Sequence, residues 1–245
     1  MLKNYFKTAW RNLGKSKMHS FINIAGLSMG MAVAILIGLW IYDEVSFDKN
    51  FRNYDRIARV FQNVTNNGEV QTWTSVPYPL AEELRKSYGS DFKHIVMAVQ
   101  WGDHILTYND KKFRENGVYF EEEGPEMLSL DMLEGSPSLA DPSSILLSAS
   151  AAKAFFGNDN PVNKLVKIDE MPVTKVTGVY KDLPRNSTFA GLHFIATWKF
   201  LYANSDWMKT MDDKWRPNFA TLFVQLNEQA DLAKVSTKIR DAKLK

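Results

Sequence analysis

Residues 21–42 form a long, predominantly apolar stretch without a charged side chain. As a helix that rises about 1.5 Å per residue it is about 33 Å long, enough to cross the hydrocarbon core of a membrane. The stretch is longer than the apolar core of a secretory signal peptide, and a buried helix of a soluble protein would normally keep a polar face. The pattern therefore predicts an uncleaved transmembrane helix.

Basic and aromatic residues before this stretch recur with helical spacing. Lys3, Lys7, Arg11 and Lys15 follow one another at intervals of four, and Trp10 belongs to an apolar, aromatic-rich face. A basic amphipathic helix of this kind is suited to the headgroup layer over anionic lipid. We predict an interfacial helix over residues 1–20, anchored by these five residues. The alternative is a disordered basic flank that only orients the span.

The charges on either side of the stretch predict its orientation. Five basic residues and no acidic residue precede it, whereas Asp43, Glu44 and Asp48 follow it. Because basic flanks stay in the cytoplasm, the N-terminus is predicted to be cytoplasmic and residues 43–245 to lie on the other side.

Small residues recur within the stretch at strict four-residue intervals, at Gly26, Gly30, Ala34 and Gly38. They share one face of the predicted helix, and the first two form the GxxxG pattern that lets membrane helices approach closely. A single anchor needs no such face, so the spacing favours packing against other spans. The alternative is chance, since glycine is frequent in membrane helices.

The external residues alternate between strand-like and helical patterns at short intervals, which is typical of an α+β domain. The predicted strands cover residues 57–65, 69–74, 94–101, 105–108, 112–115, 118–120, 145–147, 166–169, 173–180, 193–198 and 221–226. The predicted helices cover residues 77–88, 125–130, 148–156 and 231–244. Residues 204–218 are rich in Trp, Met and Asp and receive no assignment. A helix that runs to the last residue without a cap suggests a chain cut within a larger protein.

Composition narrows the class of function. Residues 43–245 carry 25 basic and 28 acidic side chains, so the external part is mildly acidic and does not fit nucleic-acid binding. The chain contains no cysteine, which removes disulfides and thiol catalysis. The four histidines lack the spacing of a helical metal site, and we assign no catalytic residue, metal or cofactor. The run Glu121-Glu122-Glu123 is interpreted as a solvated loop, with a cation site as the alternative.

Many short blocks resemble one family in sequence order. They are Phe6-Lys7-Thr8-Ala9-Trp10-Arg11-Asn12-Leu13, Ser46-Phe47-Asp48, Asp55-Arg56-Ile57, Gly117-Val118-Tyr119-Phe120, Pro125-Glu126-Met127-Leu128, Leu133-Glu134-Gly135, residues 141–148, 152–157 and 161–164, and residues 176–184. Together they resemble the first span and periplasmic core domain of MacB/FtsX-type ABC transporter permeases. In that family Asn163 is more usually glycine, so the turn must reach a left-handed conformation without it. The family also has at least four spans, and this chain ends before a second.

The resemblance implies a permease component of the mechanotransmission type, in which cytoplasmic ATP hydrolysis moves the spans and reshapes the periplasmic domain for export or extrusion. It implies two α+β subdomains, residues 43–135 with 199–245 and an inserted subdomain of residues 136–198. It places the protein in the bacterial cytoplasmic membrane. The implied partners are membrane lipid, an ABC ATPase subunit, a second copy or second permease, and a periplasmic adaptor. The alternative is a single-pass, membrane-anchored binding or sensor module; an anchored enzyme ranks third.

Overall fold

A computed structural model of the chain describes residues 2–15 and 17–244, which form two compact units, Met1–Phe47 and Asp48–Lys245. The first unit contains helices α1 (Leu2–Lys15) and α2 (Lys17–Val45). Helix α2 has 29 residues, includes the predicted span and buries none of its residues. By length and composition it can cross a membrane.

The second unit is a mixed α/β domain, as predicted. Its strands are β1 (Ile57–Val60), β2 (Gln62–Asn66), β3 (Glu69–Trp73), β4 (Phe92–Tyr108), β5 (Lys111–Phe120), β6 (Met132–Gly135), β7 (Ser144–Ser148), β8 (Leu165–Ile168), β9 (Val173–Tyr180), β10 (Phe194–Thr197) and β11 (Ala220–Leu226). Its helices are α3 (Pro79–Tyr88), α4 (Gly124–Met127), α5 (Ala149–Phe156), α6 (Trp198–Ala203), α7 (Asp206–Lys209) and α8 (Leu232–Lys238). Short 3₁₀ turns cover Tyr54–Arg56, Gly89–Asp91 and Ala242–Leu244.

Nine of these strands form one sheet. Eight follow the order β1-β11-β4-β5-β10-β7-β9-β6, and β8 pairs with both β4 and β9. The β5–β10 and β7–β9 pairs are parallel and the others antiparallel. Strands from both predicted subdomains therefore share one sheet, and the division into two subdomains stays a prediction.

Both faces of the sheet are covered by other elements. Adjacent residues of a strand point to opposite faces, so one strand contributes to two cores. On β4, Ile95 and Met97 pack against a core that includes residues of α3, α5, α6 and α8. The alternate residues Val96 and Ala98 pack against a second core on the other face. That second core contains Phe51 and residues of α4. Burial on both sides explains why the central strands are hydrophobic at nearly every position.

Local sequence signals fix several boundaries. Ser148 caps α5, its side chain accepting a hydrogen bond from the Ala151 N–H, and Gly157 ends the helix at a φ of 64°. Asn163 has a φ of 69°, which confirms the predicted left-handed turn without glycine. The predicted hairpin of β2 and β3 turns at Asn67 and Gly68, both at positive φ.

Several predicted boundaries are wrong. The predicted strands 112–115 and 118–120 are one strand, β5, and the predicted helix 125–130 ends at Met127. Strand β4 is continuous over Phe92–Tyr108, where two strands were predicted, because a bulge between Val99 and Gly102 absorbs the irregular stretch. The predicted strand 57–65 is two strands that pair with different partners, β1 with β11 and β2 with β3. The last helix ends at Lys238 and is followed by a 3₁₀ turn.

A pair of glycines opposite each other in the sheet gives a test of the core. Gly117 on β5 lies against the ring of Phe194, where a Cβ would clash, whereas a Cβ on its cross-strand partner Gly102 meets nothing within 4 Å. Gly117→Ala should lower the free energy of unfolding by about 1–3 kcal/mol through overpacking. Urea unfolding measures the loss, with Gly102→Ala as the matched control. Equal stability of the two variants would contradict the packing at Phe194.

Candidate membrane-coupling site

The second unit begins at Asp48, three positions after α2 ends at Val45. The Asp48 carboxylate accepts hydrogen bonds from the Ser187 hydroxyl at 2.9 Å and from the backbone N–H and hydroxyl of Thr188 at 2.7 and 2.5 Å. The Asp48 N–H donates to the carbonyl of Asn186 at 2.9 Å. We call Asp48 with Asn186, Ser187 and Thr188 the Asp48 junction.

The backbone at Asp48 has a φ of 58°, in the left-handed region. Aspartate tolerates this conformation better than most residues because its short polar side chain can hydrogen-bond locally. The conformation permits a sharp turn, and the Phe51 N–H then donates to the Asp48 carbonyl at 3.1 Å. Asp48 thus forms the first turn of the second unit.

Aromatic packing holds the same segment to the sheet. Phe51 is 4% exposed and its ring meets Phe189 edge-on at 5.7 Å. Phe189 also contacts the rings of Phe120 on β5 and Phe223 on β11. The first residues of the second unit are therefore held to two strands of the sheet through the buried ring of Phe189.

A cleft of about 200 Å³ lies beside Phe51. Its floor is apolar and buried at Leu128 and Leu130, and its rim is charged at Asp131 and Lys181. It is smaller than the pockets of about 300–1,000 Å³ that hold drug-sized ligands, so we assign it no such ligand.

Asp182, at the same rim, ties the loop after β9 to the start of α5. Its carboxylate accepts hydrogen bonds from the Ser150 hydroxyl at 2.7 Å and the Ser150 N–H at 3.1 Å. Partial burial acts to raise the pKa of Asp182, but these hydrogen bonds outweigh it and lower the pKa below its ordinary value. Asp182 is therefore held as a carboxylate.

Glu122 and Glu123 of the acidic run are exposed in a turn, as predicted, whereas Glu121 is half-buried. Glu121 binds Arg85 of α3 and accepts a hydrogen bond from the Met97 N–H at 2.8 Å. Glu122 pairs with Lys199 of α6 at 3.2 Å. We call residues 121–126 the acidic turn, since these carboxylates connect it to separate elements of the domain.

Each of the three histidines of the second unit lies beside a carboxylate. His94 Nδ1 lies 3.1 Å from Glu123, His104 Nδ1 lies 2.7 Å from Asp169, and His193 Nδ1 pairs with Glu115. Among residues 2–15 and 17–244, no three His, Cys, Asp or Glu side chains are arranged to hold a metal ion.

The predicted membrane residues lie on the helices of the first unit. Lys7, Trp10, Arg11 and Lys15 are exposed on α1, while the side chain of Lys3 lies outside the described part of the chain. The four small residues of the packing face are exposed on α2, and a Cβ added at any of its three glycines meets nothing within 4 Å. The anchoring and packing roles stay predictions.

Sequence reasoning did not single out the Asp48 junction as a site. Its only signal was the Ser46-Phe47-Asp48 block, noted as part of a resemblance. The partners of Asp48 lie 139 and 140 residues further along the chain, beyond the reach of any local pattern.

The fold agrees with comparisons to known proteins. The family described as MacB-like periplasmic core domain matches residues 20–242, which is most of the sequence. The chain belongs to this family, whose members are periplasmic domains of ABC transporter permeases. No curated protein matches the sequence.

Three solved structures share the fold. A domain of a permease protein from Porphyromonas gingivalis has a TM-score of 0.65 at 16% identity, covering 79% of this chain and 82% of its own. The periplasmic region of MacB from Actinobacillus actinomycetemcomitans has a TM-score of 0.56 at 17% identity, with coverages of 78% and 83%. The extracellular domain of the ABC-type transporter YknZ from Gram-positive bacteria has a TM-score of 0.53 at 14% identity, with coverages of 76% and 90%.

Proposed function

We propose that this chain forms part of a mechanotransmission permease, in which ATP hydrolysis by a cytoplasmic ABC ATPase moves the spans and thereby the periplasmic domain. Membership of the MacB-like periplasmic core domain family supports the transporter class. The observation that carries the coupling role is the Asp48 junction, three residues from the end of α2. Asp48 and Phe51 follow α2 closely in sequence and bind the domain, so we expect a displacement of the span to reach the sheet through them.

The proposal also assigns places to the two helices of the first unit. Helix α1 would lie on the cytoplasmic face of the bacterial inner membrane, with its basic residues over anionic lipid. Helix α2 would pack its small-residue face, residues 26–38, against other spans of the transporter, in a second copy or a second permease. Residues 48–245 would then lie in the periplasm, where an adaptor could bind them.

The proposal is tested by purifying the protein in mild detergent from its native membrane. A P-loop ATPase should co-purify with it, and ATP trapped in that complex should change the distance between spin labels at Lys15→Cys and Asp110→Cys. The absence of native cysteine makes this labelling specific. A protein that purifies without an ATPase and shows no nucleotide-dependent distance change would instead fit an anchored sensor module.

Gly30→Leu should reduce co-purification with the other transmembrane subunits severalfold while the external domain stays folded, because leucine blocks close approach of helices at a GxxxG face. Crosslinking yield measures assembly and circular dichroism measures folding. Leu36→Ile, a substitution elsewhere on α2, is the control. Normal assembly of Gly30→Leu would refute the packing face but leave the coupling role of Asp48 standing.

A further inference from the structure

Two buried polar atoms without a hydrogen-bond partner belong to residues at paired positions of neighbouring strands. His94 Nε2 on β4 and Gln225 Oε1 on β11 are inaccessible to solvent and make no hydrogen bond within the described residues. The two residues are only 7% and 3% exposed. They are directly opposed in the antiparallel β4–β11 register, so their side chains share one face of the sheet. An unpaired buried polar atom is unfavourable, so two of them at paired positions of adjacent strands point to a bound ligand.

A carboxylate of the acidic turn faces the same place. Glu126 Oε1 lies 3.6 Å from His94 Nε2, which is too long for a hydrogen bond. A nitrogen and an oxygen that bind one tetrahedral zinc ion at their usual bond lengths are about 3.4 Å apart. The observed separation is therefore close to that of two ligands of one ion.

The other nitrogen of the same ring is already oriented. Glu123 Oε2 lies 3.1 Å from His94 Nδ1, and an ionised carboxylate can only accept a hydrogen bond, so Nδ1 carries the proton. In the neutral ring the Nε2 lone pair then faces Glu126 and is available to a cation. Carboxylate–histidine–metal arrangements of this kind orient the ring and raise its basicity.

Only two of the four glutamates of the acidic turn pair with a Lys or Arg side chain among the described residues. Glu121 and Glu122 are neutralised by Arg85 and Lys199. Glu123 and Glu126 face only His94 among the ion pairs of the described residues, and together they carry two negative charges. A divalent cation at His94 would balance them.

We propose that His94 Nε2, the Glu126 carboxylate and Gln225 Oε1 bind one divalent transition-metal ion such as Zn²⁺, with water completing the coordination. An imidazole with two oxygen donors suits zinc and its neighbours in the first transition series. The third protein ligand is the amide oxygen of Gln225. The site therefore does not contain three His, Cys, Asp or Glu side chains, in agreement with the absence of such a group among the described residues. The bound ion would tie α4 to β4 and β11.

The test is calorimetric titration of the chelator-treated full chain, in detergent, with Zn²⁺. The wild type should bind one ion per chain. Glu126→Gln, at a side chain that is 69% exposed and tolerant of change, should weaken binding by at least about tenfold. Glu123→Gln should weaken it by about 10–100-fold through the histidine. Glu122→Gln is the matched control, since it alters the same turn without facing His94, and its affinity should stay within twofold.

Two outcomes would overturn the proposal. One is the absence of saturable Zn²⁺ binding up to about 100 μM in the wild type, as expected if a water molecule alone bridges these atoms. The other is equal weakening by Glu122→Gln and Glu126→Gln, which would indicate diffuse attraction to acidic residues. Glu122 and Glu126 are exposed, so their substitution should leave the domain folded, and circular dichroism of each variant verifies this.

Discussion

Asp48→Ala is expected to lower the free energy of unfolding of the external domain by about 3 kcal/mol. Alanine removes three hydrogen bonds to a charged acceptor, each of which contributes about 1.5–3 kcal/mol when buried and less in this half-exposed position. It also places a residue that resists a positive φ at 58°, at a further cost of about 1–2 kcal/mol. Urea unfolding followed by tryptophan fluorescence measures the loss.

Two further variants separate the loss of the hydrogen bonds from the strain of the positive φ. Asp48→Asn keeps a side chain that tolerates the left-handed conformation and retains one acceptor, so it should lose about half as much stability. Asp55→Ala removes a nearby exposed carboxylate and should change stability by less than about 0.5 kcal/mol. If Asp48→Ala were as stable as Asp55→Ala, the Asp48 junction would have no structural role.

The same variant bears on the proposed function. In a transporter that couples through Asp48, the alanine variant should still assemble with its ATPase and hydrolyse ATP. The nucleotide-dependent distance change between the span and the sheet should be reduced, because the segment after α2 can then move without the loop at residues 186–188. A full distance change in Asp48→Ala would mean that coupling takes another route.

Phe189→Ala should have a larger effect, about 3–5 kcal/mol, the usual cost of removing a buried phenylalanine side chain. Phe189 is 2% exposed and its ring contacts Phe51, Phe120 and Phe223, so the cavity would open between three elements that cannot all move inward. Urea unfolding gives the loss. Phe61→Ala is the control at a ring that is 49% exposed, and it should cost less than about 1 kcal/mol.

A double variant tests whether Phe189 binds the entry segment to the domain. Phe51→Ala and Phe189→Ala should be non-additive by about 0.5–1.5 kcal/mol, as expected for an aromatic pair in contact. Additive losses would mean that the two rings stabilise the domain independently.

Many strands and helices could be predicted because the patterns that specify them lie within a few consecutive residues. Alternation and continuous apolar runs locate the strands, and Ser148 with Gly157 marks both ends of α5. The unassigned residues 204–218 contain only one short helix, α7, so no strong periodicity was present to detect. The bulge in β4 was not predicted because a bulge and the end of a strand interrupt the hydrophobic pattern in the same way.

The candidate sites were harder to predict because they depend on pairing across the sheet. Glu121-Glu122-Glu123 reads as an exposed charged run until the fold brings Arg85, Lys199 and His94 to it. The proposed metal site needs the β4–β11 register, which places Gln225 beside a histidine 131 positions away in sequence. No spacing rule for metal ligands includes such a pair.

The bulge in β4 also limits how the domain can deform. The part of β4 up to Val99 pairs with β11, the part from Gly102 pairs with β8, and β5 pairs with β4 on both sides of the bulge. Because one strand runs through both parts of the sheet, any relative movement of the two parts has to bend β4. The interruption of the ladder between Val99 and Gly102 is where the fewest hydrogen bonds between β4 and β5 oppose such bending.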